Sequence, residues 1–225
     1  MLLVATLALA RPPVPILADR GASVALGATG HTTTDLLVDP ECSGTACEAL
    51  RQRSFVGGFV QGQIVPWMGL WGEVGSELSV ADAALAATQG VALDSGVYFS
   101  PWPARAIGAM AWSNLAFAVA GEVGQDVAKR WQLEAGGAAR FGRPADAVIA
   151  WVGANVLIVG NDSVLLGEEA FEVPLAPLAP GEVVAGGTLM SEPLRGAAST
   201  SRVFLTLEGS VGARTAFGAS LGVAL

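Results

Sequence analysis

The stretch Phe217-Gly-Ala-Ser-Leu221-Gly-Val-Ala-Leu225 decides the fold of this chain. Its odd-numbered positions are apolar, whereas its even-numbered positions carry only glycine, serine and alanine. Successive side chains of a β-strand point to opposite faces of the sheet. The stretch therefore predicts a strand with one strongly apolar face and one face of small side chains.

The same alternation recurs through most of the chain. Between Val56 and Val80 apolar side chains occupy even positions and polar ones odd positions, which is a period of two and not of 3.6. Prolines, which cannot donate to a β-ladder, are confined to the predicted turns. The pattern predicts ten strands, with eight as the alternative, at 22–31, 53–65, 69–80, 90–100, 104–122, 130–141, 146–159, 183–190, 201–211 and 216–225.

The predicted connections differ in length on the two sides of the sheet. Short proline turns join some strand pairs, and longer connections at 32–52, 81–90, 125–130 and 160–182 separate the pairs. With the closing strand 217–225, this arrangement resembles the small outer-membrane β-barrels of Gram-negative bacteria. The resemblance implies an all-β, antiparallel, up-and-down transmembrane barrel over residues 22–225, in the bacterial outer membrane, with short periplasmic turns and longer outer loops.

Composition is consistent with a membrane-facing exterior. Of the 225 residues, 52% are hydrophobic and only 14% are charged, against about a quarter in soluble domains. The net charge of −8 disfavours a nucleic-acid partner, which requires a basic surface. Two alternatives remain: a secreted soluble β-barrel or sandwich that binds a ligand, and a membrane helix over 106–121.

The N-terminal segment has the features of an export signal. Leu2 to Ala10 form an apolar run that ends in small residues, so we expect residues 1–21 to be a signal-like segment. Cys42 and Cys47, the only cysteines, flank a short stretch containing Gly44. In an oxidising compartment this spacing predicts a disulfide within the 32–52 loop.

Acidic side chains share the parity that should face the barrel lumen. We expect Arg140, and secondarily Arg105, to provide their counter-charge, with Arg140 lying between Glu73 and Glu77. Two interpretations stay open: a Glu–Arg plug that fills a small barrel, and a narrow cation-preferring water path. The lumen candidates are Glu73, Glu77, Asp94, Glu122, Glu134, Arg140 and Glu208.

The sequence offers little catalytic chemistry. His31 is the only histidine and has no acidic partner or nucleophile motif beside it, so we expect no enzyme, no cofactor and no metal site. Trp67, Trp102 and Trp131 are candidates for the aromatic girdles at the membrane interfaces. The expected role is structural, surface-binding or a narrow porin-like channel. The lipid bilayer is the expected partner, and loops 32–52 and 160–182 are candidates for binding an extracellular ligand.

Overall fold

A computed structural model describes most of the predicted strands. It covers residues 24–38, 48–81, 88–120, 128–144, 146–166, 169–175, 181–193, 201–212 and 215–225. Within these ranges the strands are β1 (Val24–Val38), β2 (Glu48–Val65), β3 (Met68–Ala81), β4 (Thr88–Phe99), β5 (Ile107–Ala120), β6 (Ala128–Phe141), β7 (Val148–Leu166), β8 (Glu169–Leu175), β9 (Glu182–Met190), β10 (Arg202–Val211) and β11 (Thr215–Ala224).

Ten of these strands close into an antiparallel barrel. Neighbours in sequence pair with one another, β1 also pairs with β11, and β7 pairs with both β6 and β9. Strand β8 lies outside this ring and pairs with the distal part of β7. The predicted fold class and the preferred count of ten barrel strands are therefore confirmed.

The two ends of the barrel differ. Val24 and Leu225 lie together at one end, where the Leu225 N–H donates to the Val24 carbonyl at 2.8 Å. The chain direction places residues 66–67, 100–106 and 142–147 at this end too, which we call the turn end. The opposite end, here the loop end, carries the β1–β2 connection and the β7–β8 hairpin.

Several predicted boundaries are wrong. Strand β8 falls in the predicted loop 160–182, and β1 and β2 both continue into the predicted loop 32–52. The predicted strand 104–122 was too long because its first residues belong to the turn that follows Pro101 and Pro103. The helical alternative for 106–121 is wrong, because β5 occupies this segment. Among the described residues there is no helix of the length and hydropathy that a membrane crossing requires.

The alternate strand positions that carry apolar side chains face outward. Val56 is 71% exposed and Phe217 56%, whereas the inward-facing Ser220 is 8% exposed. Strand β7 is apolar on both faces, and the structure orients it: Ile149 points inward and Val148 outward. Apolar side chains on the outside and polar side chains in the interior are the arrangement of barrels that lie in a bilayer.

Inward-facing glycines make room for aromatic rings. Trp112 is the cross-strand partner of Gly136, and a Cβ atom at Gly136 would collide with the Trp112 ring. Trp151 lies over Gly186 in the same way. Each ring lies against the barrel wall at a position where any side chain on the neighbouring strand would overlap it. This explains part of the high glycine content.

Candidate functional site in the barrel lumen

Apolar side chains cluster inside the barrel toward the turn end. One buried cluster contains Phe59, Ile149, Met190 and Phe204, with two small alanines beside them. Ile149, Met190 and Phe204 lie near the turn-end termini of their strands. Phe59 lies farther along β2, as the cross-strand partner of Glu73, and its ring packs against that of Phe204 with centroids 5.9 Å apart. The cluster thus places bulky apolar side chains inside the barrel toward this end.

A second apolar layer lies next to the first one. It contains Trp71, Tyr98, Met110, Trp112 and Trp151, all buried. These residues come from β3, β4, β5 and β7, so the layer extends across the lumen-facing side of half the barrel. The two layers together form what we call the apolar plug.

A row of oxygen-bearing side chains follows the plug on the side of the loop end. Glu73 on β3 is the cross-strand partner of Asp94 on β4, and Asn114 on β5 is the partner of Glu134 on β6. The four positions lie on adjacent strands and carry inward-facing side chains. We call Glu73, Asp94, Asn114 and Glu134 the acidic row.

Glu134 is held by a hydrogen-bond chain. Its side chain is 0% exposed, and its Oε2 accepts a hydrogen bond from Asn155 Nδ2 at 2.9 Å. Gln132 Nε2 donates to the other carboxylate oxygen at 3.4 Å. Trp112 Nε1 donates to Asn155 Oδ1 at 3.2 Å, which links the acidic row to the apolar plug. This carboxylate has the donors that a buried charge requires.

Glu77 forms a buried ion pair near the loop end. Arg130 Nη1 and Nη2 donate to the two Glu77 oxygens at 2.9 Å and 2.5 Å. Both side chains are less than one tenth exposed. The expectation that Arg140 provides the counter-charge of Glu77 is wrong. The guanidinium of Arg130 on β6 lies against the Glu77 carboxylate on β3, whereas Arg140 lies near the turn-end terminus of β6.

Arg140 instead holds a turn together. Its Nη2 donates to the carbonyls of Trp102, Pro103 and Arg105 at 3.0, 3.2 and 3.1 Å, and its Nη1 donates to the Gly142 carbonyl. Arg140 is fully buried, but its partners are backbone oxygens at the turn end. Arg105 does not line the lumen: it is exposed, with its guanidinium 5.6 Å from the centroid of the Trp102 ring.

Two of the predicted lumen residues remain, Glu208 and Glu122. Glu208 on β10 faces inward and is partly exposed. Glu122 lies outside the described residues, as do Cys42 and Cys47, so the disulfide stays a prediction. His31 also faces the lumen, where its ring stacks on Phe55 at a centroid distance of 4.8 Å.

The three candidate girdle tryptophans lie on the outside of the barrel. Trp67 and Trp102 are about half exposed and lie at the turn end, with the Trp67 ring stacked 6.3 Å from Phe99. Trp131 is 38% exposed and lies near the loop-end terminus of β6. One aromatic group thus lies near each rim of the apolar exterior, as the girdle hypothesis requires.

Sequence reasoning missed three important lumen residues. Arg53 and Arg130 are both less than one tenth exposed, and Asn155 bridges Trp112 and Glu134. The signal was available for both arginines, because each shares the parity of the polar residues on its strand. Asn155 lies in a stretch that is apolar on both faces, where parity alone could not orient it. Among the described residues, no group of three or more His, Cys, Asp or Glu side chains has the arrangement of a metal centre.

Comparison with known proteins gives remote structural similarities only. No protein-family model and no curated protein sequence matches the chain. The translocator domain of the autotransporter NalP from Neisseria meningitidis aligns at 10% identity over 92% of this chain and 88% of its own, with a TM-score of 0.45. The transport unit of the Escherichia coli autotransporter AIDA-I aligns at 11% identity over 93% and 92%, with a TM-score of 0.48. An outer membrane channel from Pseudomonas putida F1 aligns at 12% identity over 96% and 99%, with a TM-score of 0.40.

The architecture itself gives the setting of the protein. An antiparallel barrel that closes without a free edge, with apolar side chains outside and polar ones inside, is the outer-membrane type of β-barrel. The described part of the chain is such a barrel, located in the bacterial outer membrane and surrounded by lipid.

Proposed function

We propose that this protein is a closed outer-membrane barrel that anchors binding loops at the cell surface and conducts no steady ion current. The observation that supports the proposal is the apolar plug, whose buried side chains lie inside the barrel toward the turn end. A barrel of about eight strands is narrow enough for side chains to fill its interior, and this ring has only two strands more. The proposal assigns no catalytic role to His31, whose ring stacks on Phe55.

Projecting strands support the surface-binding part of the proposal. The β1–β2 pairing continues to Val38 and Glu48, whereas β1 pairs with β11 only up to Thr34. Likewise the β7–β8 hairpin extends beyond the part of β7 that pairs with β9. Two paired ribbons thus extend past the barrel at the loop end, where backbone pairing gives them a defined shape to present to a ligand.

A narrow cation-preferring channel is the second candidate. The acidic row favours it, because closely spaced carboxylates attract cations when water hydrates them. A channel requires a water-filled path through the apolar plug, and the proposed closed barrel has no such path. The two candidates therefore differ in one measurable property, the conductance of the isolated barrel.

Planar-bilayer recording of the purified full chain tests the proposal. We expect no steady conductance from the wild-type barrel. The double substitution Trp71→Ala and Trp151→Ala should thin the plug and produce measurable openings, whereas the lipid-facing Leu205→Ala, which leaves the plug intact, should stay silent. A steady, cation-selective current from the wild-type protein would contradict the closed barrel and support the channel.

A further inference from the structure

Arg140 is buried at a place where an open barrel would expose it. It is the last residue but one of β6, at the turn end, and it is 0% exposed. Its guanidinium donates to four backbone carbonyls. A charged group that is taken out of water needs such partners. The complete burial of Arg140 therefore means that another part of the chain lies over it.

The β4–β5 turn, residues 100–106, folds back over the inward face of the barrel wall. Gly108 is the cross-strand partner of Arg140, and it shares the parity of the inward-facing Met110. A Cβ atom at Gly108 would lie 2.7 Å from Arg140 Nη2 and 3.3 Å from the carbonyl oxygen of Trp102. Because that Cβ atom would point into the lumen, the guanidinium and this carbonyl both lie on the lumenal side of β5. The turn thus reaches over the mouth of the barrel.

One guanidinium joins this turn to the neighbouring β6–β7 turn, residues 142–147. Arg140 Nη2 donates to three carbonyls of the β4–β5 turn, and Nη1 donates to the carbonyl of Gly142. The two turns also meet directly, since the Gly142 N–H donates to the Ala106 carbonyl at 2.8 Å. Pro144, within the β6–β7 turn, is buried. The planar fork of arginine suits this role, because its donors point in several fixed directions at once.

We propose that the β4–β5 and β6–β7 turns form a cap that closes the lumen at the turn end, and that Arg140 is the latch that keeps the cap shut. The cap is a second closure beside the apolar plug. It rests on the proposed closed barrel and names the part of that barrel that can open. When the guanidinium leaves the carbonyls, water can hydrate them, so the β4–β5 turn can lift without any change in the strands.

Labelling of a single thiol tests the latch. Ser100, at the start of the β4–β5 turn, is 1% exposed, and Ser100→Cys exchanges only one heavy atom. In a background with Cys42 and Cys47 replaced by serine, a water-soluble maleimide should react slowly with this thiol while Arg140 is present. Arg140→Ala should raise the labelling rate about tenfold or more, because the turn loses its hydrogen bonds to the guanidinium. Arg140→Lys, which keeps the charge and loses the fork, should raise it too.

Arg105→Ala is the matched control, because it removes an exposed arginine from the same turn and keeps the backbone carbonyl that Arg140 binds. It should leave the labelling rate unchanged. Gly108→Val keeps Arg140 but places a side chain where the guanidinium lies, so it should also raise the rate. Heat-modifiable migration in SDS gels shows which variants are folded. Unchanged labelling of a folded Arg140→Ala barrel, or of Gly108→Val if the first variant does not fold, overturns the proposal.

Planar-bilayer recording tests the cap as a closure. Adding Arg140→Ala to the variant with Trp71→Ala and Trp151→Ala should raise its open probability, because ions then meet neither an intact plug nor a closed cap. No increase would overturn the cap as a closure. A steady wild-type current would contradict the closed barrel whatever the labelling shows. A silent wild-type barrel whose thiol reacts equally fast with and without Arg140 would leave the closed barrel intact and overturn the cap.

Discussion

At the scale of single residues, the lumen is organised by a few buried charged groups with specific partners. Glu77 and Arg130 satisfy each other across the barrel, and Glu134 is satisfied by Asn155. Removing one member of a buried ion pair leaves the other charged and desolvated, which costs more than the pair itself contributes. These contacts should therefore matter more for stability than any ion pair on the rims.

The Glu77–Arg130 pair gives the first prediction. Arg130→Ala should lower the free energy of unfolding by about 3–5 kcal/mol, because the Glu77 carboxylate remains buried without its guanidinium. Adding Glu77→Gln to that variant should recover part of the loss. Urea titration followed by tryptophan fluorescence measures both, and equal stability of Arg130→Ala and wild type would show that the pair does not form.

The second prediction concerns the lipid-facing side chains. Leu207→Arg should destabilise the barrel by about 2–4 kcal/mol, because Leu207 lies in the middle of β10 on the outward face. Thr206→Arg, at the preceding position, places the same charge in the lumen and therefore tests packing there rather than contact with lipid. Both variants are then reconstituted into bilayers of increasing thickness and their stability is compared. Only the stability of Leu207→Arg should change with bilayer thickness.

At the scale of strands, glycine placement decides where aromatic rings can lie. Inward-facing Gly136 accommodates Trp112, whereas Gly137, the next residue on β6, faces lipid. A methyl group at Gly137 would have its nearest neighbour, the Met110 carbonyl oxygen, at 3.4 Å. The two glycines are adjacent in sequence but differ in what a methyl group would meet. Alternation of small and large side chains on facing strands is thus a packing requirement of this wall.

Adjacent glycines provide the third prediction with an internal control. Gly136→Ala should cost about 1–3 kcal/mol, because the added methyl group collides with the Trp112 indole and forces it from the wall. Gly137→Ala should be close to neutral. Chemical denaturation of both variants in the same detergent tests this, and equal losses would mean that Trp112 does not lie over Gly136.

Strand parity was readable from the sequence, and strand ends were not. The outward faces of β2, β3 and β11 follow the predicted alternation, because burial against lipid fixes the register of a strand. Strand β8 was missed because its residues 169–175 include a proline and two glutamates, which are typical of a loop. Charge partners depend on which strands meet in space, so Arg130 could not be matched to Glu77 before the barrel closure was known.

At the scale of the whole molecule, closure and filling of the lumen determine what the barrel can do. The pairing of β1 with β11 closes the ring of ten strands without a free edge in the ring, as a lipid environment requires. Most of the apolar plug lies toward the turn end, and on β3, β4 and β5 the acidic row lies on the loop-end side of it. The membrane-spanning wall, the apolar plug and the projecting ribbons are the features on which the proposed role of an anchored surface protein rests.

The central claim is that an antiparallel barrel presents its apolar parity to lipid, and the strand from Phe217 to Leu225 tests it most directly. Nitroxide labels placed one at a time along this strand, in a background with both cysteines replaced by serine, report collisions with oxygen in the bilayer and with a water-soluble nickel complex. We expect high oxygen accessibility at the odd positions Phe217, Leu221 and Val223 and low accessibility at the even positions between them. Accessibility to the nickel complex at the odd positions, or the loss of the two-residue period, would contradict the account.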